Sequence, residues 1–255
     1  MKVDINSDLG ESWGAFTKGN DTEMLQLVTS ANVACGYHAG DPSVMRETVS
    51  VAVKSGVSIG AHPSYMDLLG FGRRRIIGDT PAELERQIIY QIGSLQGVAA
   101  MFNTKLTHVK SHGFLGNISA EDDDIAMTVA RAIKAVDSNL IMVVMPGLAT
   151  ERAAHKLGLR LAREVYADRS YQDNGNLTPR NEPNAVLHDE KKAADRVIRM
   201  LEEQAVTSVS GKKIGVRIDT ICVHGDNPAA VGMASTVRDA IVNSGFDLKA
   251  FQTFV

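Results

Sequence analysis

The chain has 255 residues, 44% hydrophobic and 22% charged, an ordinary globular composition with enough apolar material for a sizeable core. A net charge of −3 gives no electrostatic case for nucleic acid or an acidic membrane surface as a partner. The longest apolar stretch, around LIMVVMPGLA, falls short of the ~20 residues a membrane span needs, and MKVDINSDLG carries no signal-peptide profile, so the expected location is the cytoplasm.

Strand-like runs follow one another along the chain: VDINSD (3–8), ANVACGY (31–37), GVSIGA (56–61), LTHVK (106–110), LIMVVM (140–145), RLAREVYA (160–167) and DTICV (219–223). Helical patterns separate most of them. Asp41-Pro42 reads as an N-cap followed by proline at the first helical position. Thr80-Pro81-Ala82-Glu83 offers a cap, a proline and a capping-box glutamate, and Leu84, Ile88, Ile92 and Leu95 then recur at helical spacing. Residues 119–136, 189–204 and 228–244 also read as helices, the last opened by Asn227-Pro228. Cys35 and Cys222 fall inside predicted strands, as buried free thiols of a reducing compartment would.

Strand alternating with helix argues for parallel strands and α/β architecture. In a doubly wound sheet, site residues gather at one switch point; in a barrel they come from many strand ends on one rim. Here nearly every strand ends in polar, chemically capable residues. The expectation is a TIM-like, seven-stranded (β/α) barrel, with residues 1–255 as one domain.

Side chains two apart share a strand face. That groups Asp4, Asn6 and Asp8; Asn32 and His38; Gly60 and His62; His108, Lys110 and His112; Glu164, Tyr166 and Asp168; Cys222, His224 and Asp226. Buried charges need partners, so a plain core would reject this set, whereas a barrel lumen can gather it. DLGE (8–11) adds Glu11 across a glycine turn, although a polar turn near a helix start would read the same way. Gly113 after His112 permits close backbone approach. GFGRRR (70–75) reads as a mobile loop able to close over an anion, with Arg73 in it. The polar loop ADRSYQDNGNLTPR (167–180) offers Arg169, Tyr171 and Arg180 for substrate contact. No Walker A or GxGxxG sequence occurs.

These motifs in this order resemble the lactam-utilisation (LamB/YcsF) family, described as the A subunit of 5-oxoprolinase. The carriers are DINSDLGE (4–11), TSANVACGYHAGDP (29–42), GAHPSYMDLLGFGRR (60–74), VKSHGFLGN (109–117), YADRSYQDNGNLTPR (166–180) and ICVHGDNP (221–228). The resemblance implies a barrel related to the glycoside hydrolase and deacetylase superfamily. It also implies ATP-dependent opening of 5-oxoproline to glutamate, with ATP and Mg in a complex with subunits B and C. The family pattern Lys-Pro-His-Gly-Ala-Leu-Tyr-Asn is met here as KSHGFLGN, so Ser111 and Gly116 reshape one rim of the pocket. Another lactam or cyclic amide is therefore an alternative substrate.

On this reading Asp8, Glu11 or Asp226 is the general base, His112 or His224 protonates the leaving nitrogen, and Lys110 faces the anionic oxygens. Asn6, His38, His62, Arg73, Glu164, Asp168, Arg169 and Arg180 contact substrate. The rival reading is a metal-dependent, deacetylase-like hydrolase with Asp8, His38, His62 and His112 around a weakly held divalent ion. No tightly held structural zinc is expected, because the sequence contains no closely spaced ligand cluster.

Overall fold

Period-two alternation requires a different environment on each face of a strand, and the fold supplies both. The structure, a computed structural model, describes residues 1–225 and 230–255. Its strands are β1 (Lys2–Leu9), β2 (Ser30–Ala34), β3 (Ser58–His62), β4 (His108–Val109), β5 (Ile141–Val144), β6 (Leu161–Tyr166), β7 (Ala205–Thr207), β8 (Lys213–Gly215), β9 (Thr220–Cys222) and β10 (Asp247–Leu248). Its helices are α1 (Asp21–Met24), α2 (Pro42–Lys54), α3 (Pro81–Ala100), α4 (Gly113–Glu121), α5 (Asp123–Val136), α6 (Ala149–Leu157), α7 (Glu190–Glu203) and α8 (Ala230–Asn243). Strands β1 to β6 pair in sequence order, all parallel, and β9 closes the circle by pairing with both β6 and β1. Among the described residues this is a closed seven-stranded parallel barrel ringed by helices, the TIM-like fold expected. No helix among them is long and apolar enough to cross a membrane.

The helix starts follow local chemistry. Asp41 accepts hydrogen bonds from the Ser43 and Val44 amides and so caps α2, with Pro42 at its first position. Thr80 and Glu83 form the expected reciprocal capping box on α3. The expected helix over 119–136 is two helices instead. Asp122 is extended and turns its carboxylate back onto the Asp124 and Ile125 amides, which ends α4 and starts α5. The start expected at Asn227-Pro228 lies outside the described residues.

Outward faces of the strands, such as Val3, Ile5, Val33 and Ile59, pack without exposure into one apolar shell with Leu84, Ile88, Ile92 and Leu95 of α3. Burial of that kind contributes about 25 cal/mol per Å² of apolar surface. The inward faces are polar and pair with one another. At the base, Asp4 accepts from the hydroxyls of Thr29, Ser30 and Thr220. Above it Asn6 donates to Thr220 Oγ1 (2.8 Å) and accepts from Asn32 Nδ2 (2.8 Å). His108 fills the lumen beside β3, where a Cβ on Gly60 would lie 2.2 Å from its ring; only glycine leaves room. Thr107 and Asn32 bracket that ring at 2.7 and 2.9 Å, and burial with the Lys110 charge pushes its pKa down to about 3, so it stays neutral.

The chain end closes the bottom of the barrel. Phe251, fully buried in a 3₁₀ turn (Phe251–Thr253), packs edge-on against His108 at 4.8 Å and donates its amide to Asp4. Strand β10 pairs beside β1 and delivers it there. An antiparallel ribbon, β7–β8, forms outside the barrel. Neither feature carries a pattern that the sequence reading used.

Candidate functional site

Parallel strands place all their C-terminal ends on one rim, and the polar ends described above meet there. A cavity of about 370 Å³ opens on this rim, lined among others by Asp8, Glu11, Arg73, Lys110, His112, Glu164, Tyr166, Arg169, Arg180 and His224.

Its centre is Lys110. The ammonium lies 2.7 Å from Glu164 Oε1, 2.9 Å from Asp8 Oδ1, 3.2 Å from Cys222 Sγ and 3.3 Å from Asn6 Oδ1. Burial alone would lower the lysine pKa, but Asp8, Cys222 and Glu164 hold it well above its ordinary value, so it stays charged. Burial would likewise raise Asp8; His62 and Lys110 hold it well below the usual carboxylate range. Asn32 supports the arrangement by donating to Asp8 Oδ1 at 2.9 Å. A carboxylate so satisfied is a weak base, which argues against the general-base role offered for Asp8.

Beside this pair stands a group of histidines. His38 and His112 stack with centroids 3.8 Å apart, and His62 meets both rings edge-on. Glu11 Oε1 lies 3.3 Å from both His38 Nε2 and His112 Nδ1. Ligand atoms of Glu11, His38, His62 and His112 all fall within 4.8 Å of one another. His112 lines the cavity, while His38 and His62 sit behind its wall rather than on it. Asp8, Cys222 and His224 also converge, but the Lys110 ammonium already occupies contacts with Asp8 and Cys222.

Across the cavity, His224 Nδ1 donates to the Asp168 carboxylate at 2.8 Å, and Arg180 Nη2 donates to His224 Nε2 at 3.0 Å. Those bonds fix the neutral tautomer with the lone pair on Nε2. Tyr166 stacks on the same ring at 5.7 Å, and its own ring lies under the Lys110 ammonium.

Several sequence expectations take a different form. Arg169 is on the cavity wall, yet its guanidinium donates to the Ala185 and Thr178 carbonyls and so organises the 167–180 loop. Tyr171 is no substrate contact: it is buried, its hydroxyl accepts from the Tyr166 amide, and its ring packs under Arg196. Asn6 lies below the cavity, supporting Lys110 from the lumen. The 70–75 loop is tied down. Asp67 accepts from Gly70 and pairs with Arg74, and the Gly72 carbonyl accepts from Phe114. Gly113, at φ +57, allows that approach; a Cβ there would lie 2.4 Å from the Gly72 oxygen. Asp226 lies outside the described residues. The sequence reading missed Phe71, whose carbonyl accepts from His112 Nε2 at 2.9 Å, because a backbone oxygen leaves no residue-type signal.

The LamB/YcsF family model matches residues 3–255. A protein from Rhodopseudomonas palustris (strain BisB5), named as the A subunit of 5-oxoprolinase, is 53% identical over 98% of this chain and 99% of its own. One of the same name from Nitrobacter hamburgensis is 49% identical over 99% of each. The crystal structure of a lactam utilization protein from Thermus thermophilus superposes with a TM-score of 0.92 at 42% identity, covering 98% of this chain and all of that one. A family 4 carbohydrate esterase from Streptomyces lividans matches at TM-score 0.51 and 11% identity over 99% of this chain and 94% of that one, a likeness of fold alone.

Proposed function

The chain belongs to the LamB/YcsF family, and from that premise we propose that it is the A subunit of an ATP-dependent 5-oxoprolinase, a hydrolase opening 5-oxo-L-proline to L-glutamate with partner subunits B and C. The observation that carries this reading is one cavity holding a permanent cation, Lys110, opposite a tautomer-fixed pair, His224 and Asp168.

An unactivated lactam is a poor electrophile. ATP, bound with Mg elsewhere in the complex, would activate the ring amide by phosphorylation. This chain has no phosphate-cradling sequence to make that intermediate, but it has what is needed to receive it. Arg73 and Arg180 at the wall suit the phosphoryl group and Lys110 the oxygen that carries it: water would add to that carbon, the ring C–N bond would break with the proton going to nitrogen, and hydrolysis of the resulting acyl phosphate would release glutamate and inorganic phosphate. His224 Nε2 carries the lone pair on this side of the cavity, capped by Arg180; it becomes available as a base once Arg180 turns to the anionic group of the bound intermediate. It takes the proton from water and passes it to the departing ring nitrogen. Asp168 holds its tautomer, Asp8 and Glu164 hold Lys110 in place, and His112, with Nε2 committed to Phe71, is not the proton carrier. Ser111 and Gly116 line the same cavity, which keeps another cyclic amide as the alternative substrate.

The test is reconstitution with 5-oxoproline, ATP and magnesium. Glutamate is expected only when this chain and subunits B and C are all present. Robust ATP-dependent ring opening by this chain alone, or by B and C without it, would sink the proposal.

A further inference from the structure

We propose that Glu11, His38, His62 and His112 form a binding site for one divalent transition-metal cation of the zinc class, in the wall beside the Lys110 centre. The site goes beyond the ring-opening reading and does not depend on it.

Backbone carbonyls decide which ring nitrogens carry hydrogen. His62 Nδ1 lies 2.7 Å from the Lys110 carbonyl, and His112 Nε2 lies 2.9 Å from the Phe71 carbonyl. A carbonyl only accepts, so both those nitrogens carry the proton. The remaining nitrogens, His62 Nε2 and His112 Nδ1, then point lone pairs at each other across 3.0 Å. Two carboxylate oxygens join them: Glu11 Oε1 at 3.3 Å from His112 Nδ1 and Asp8 Oδ2 at 3.2 Å from His62 Nε2. His38 Nε2 faces the same Glu11 oxygen at 3.3 Å. With both rings neutral, lone pairs thus face lone pairs in a buried place, an arrangement that a cation between them relieves.

A bound cation does so by drawing together four ligand atoms that already lie within 4.8 Å of one another. Tetrahedral zinc with ligands at about 2.0–2.1 Å separates neighbouring ligand atoms by about 3.3–3.4 Å. The spacings of 3.0, 3.3 and 3.3 Å already lie within a few tenths of this. The outer contacts also match, because metal-bound histidines commonly donate their second N–H to a backbone carbonyl. Three imidazoles and one carboxylate favour zinc or cobalt over magnesium or calcium, which take oxygen. The His38 Nδ1 atom is buried without a hydrogen-bond partner, so the geometry of that ring is not explained by its far edge. Glu11 and His112 reach the cavity, which gives an ion its route in. Glu11 takes the place that the sequence reading gave to Asp8; the Asp8 Oδ1 is held by Lys110 and Asn32, and only its Oδ2 looks towards the cluster.

The rival occupant is a proton, making one ring an imidazolium with no metal. Cobalt titration of the chelator-dialysed chain separates the two, using visible absorption for geometry and equilibrium dialysis for stoichiometry. It requires no lactam, ATP or second protein, so its outcome is independent of the ring-opening test. One Co²⁺ per chain with tetrahedral bands is expected, displaced by Zn²⁺. Glu11→Gln and His38→Gln should each weaken binding at least about tenfold, the smaller end of what even outer-shell changes cost. His155→Gln, an exposed histidine on α6, should leave it unchanged. Should either site variant fail to fold, the melting temperature of the wild-type chain decides, since a stoichiometric ion raises it. Substoichiometric Co²⁺ with no change in melting temperature, or full binding in both folded site variants, overturns the proposal.

Discussion

Lys110, at the end of β4, and Asp8, on β1, come from opposite sides of the barrel and meet with Nζ 2.9 Å from Oδ1. The contact spans the lumen and ties two strands that share no hydrogen-bonded edge. It also leaves each charge dependent on the other. Replacing the lysine by an apolar side chain strands Asp8 and Glu164 in a buried place, a change that costs about 3–5 kcal/mol.

Lys110→Met is therefore expected to lower the urea midpoint strongly, and Asp8→Asn more mildly, because Glu164 still faces the ammonium. The double variant should be more stable than the sum of the two losses predicts, with a coupling of about 0.5–3 kcal/mol. Simple additivity in the unfolding curves would mean that the pair has no energetic link.

Asp168 supplies a pH signature. Burial raises its carboxyl, but the hydrogen bond from His224 and the charges of Arg180 and Arg169 bring it below its ordinary 3.8. A folded-state value below the unfolded one stabilises fully above the unfolded pKa, and that stabilisation is lost as pH falls through the folded value. The stability gap between wild type and Asp168→Asn should be flat from about pH 6 to 5 and should shrink below about pH 4. A gap that widens on acidification would contradict the assignment.

Arg180 is exposed except for the bond that caps His224 Nε2. Arg180→Gln should leave the melting temperature nearly unchanged, as exposed substitutions do. In the reconstituted complex it should raise KM about tenfold or more, the scale of one lost charge-assisted hydrogen bond. An unchanged KM would remove Arg180 from the site.

At the other end of the barrel, Phe251→Ala empties a pocket formed with Ile141, Val143 and Ala162 and loosens the contact with His108. The expected cost is about 3–5 kcal/mol in denaturant unfolding. A loss under about 1 kcal/mol would show that the C-terminal turn is an ornament of the barrel rather than its floor.

What was legible in the sequence was whatever repeats locally. Alternation at Asp4, Asn6 and Asp8, or at His108 and Lys110, identified the lumen face. Asp41-Pro42 and the Thr80–Glu83 box marked helix starts, because those signals act over a few residues. The barrel followed from polar ends on strand after strand. Contacts created only by closure were not legible. The strand-end pattern grouped His38, His62 and His112 with Asp8, but that Glu11 joins the three histidines was not legible, because the turn after β1 decides which carboxylate reaches them. Tyr171 looked like a loop residue and is core, since the β7–β8 ribbon that covers it is too short to register as a pattern. Asp122 inside a long apolar periodicity was a cap, not a helical surface residue.

On the proposed function, the Lys110 centre, held by Asp8, carries ring opening within a larger complex. Asp8→Asn keeps the size of the side chain and removes the charge that holds the ammonium. The direct measurement is glutamate release from 5-oxoproline and ATP by subunits B and C assembled with either wild-type or Asp8→Asn chain, each checked for fold and assembly. A fall of about a hundredfold or more in kcat is expected, the scale of one lost electrostatic contact to the transition state. An Asp8→Asn complex that releases glutamate at the wild-type rate would contradict it.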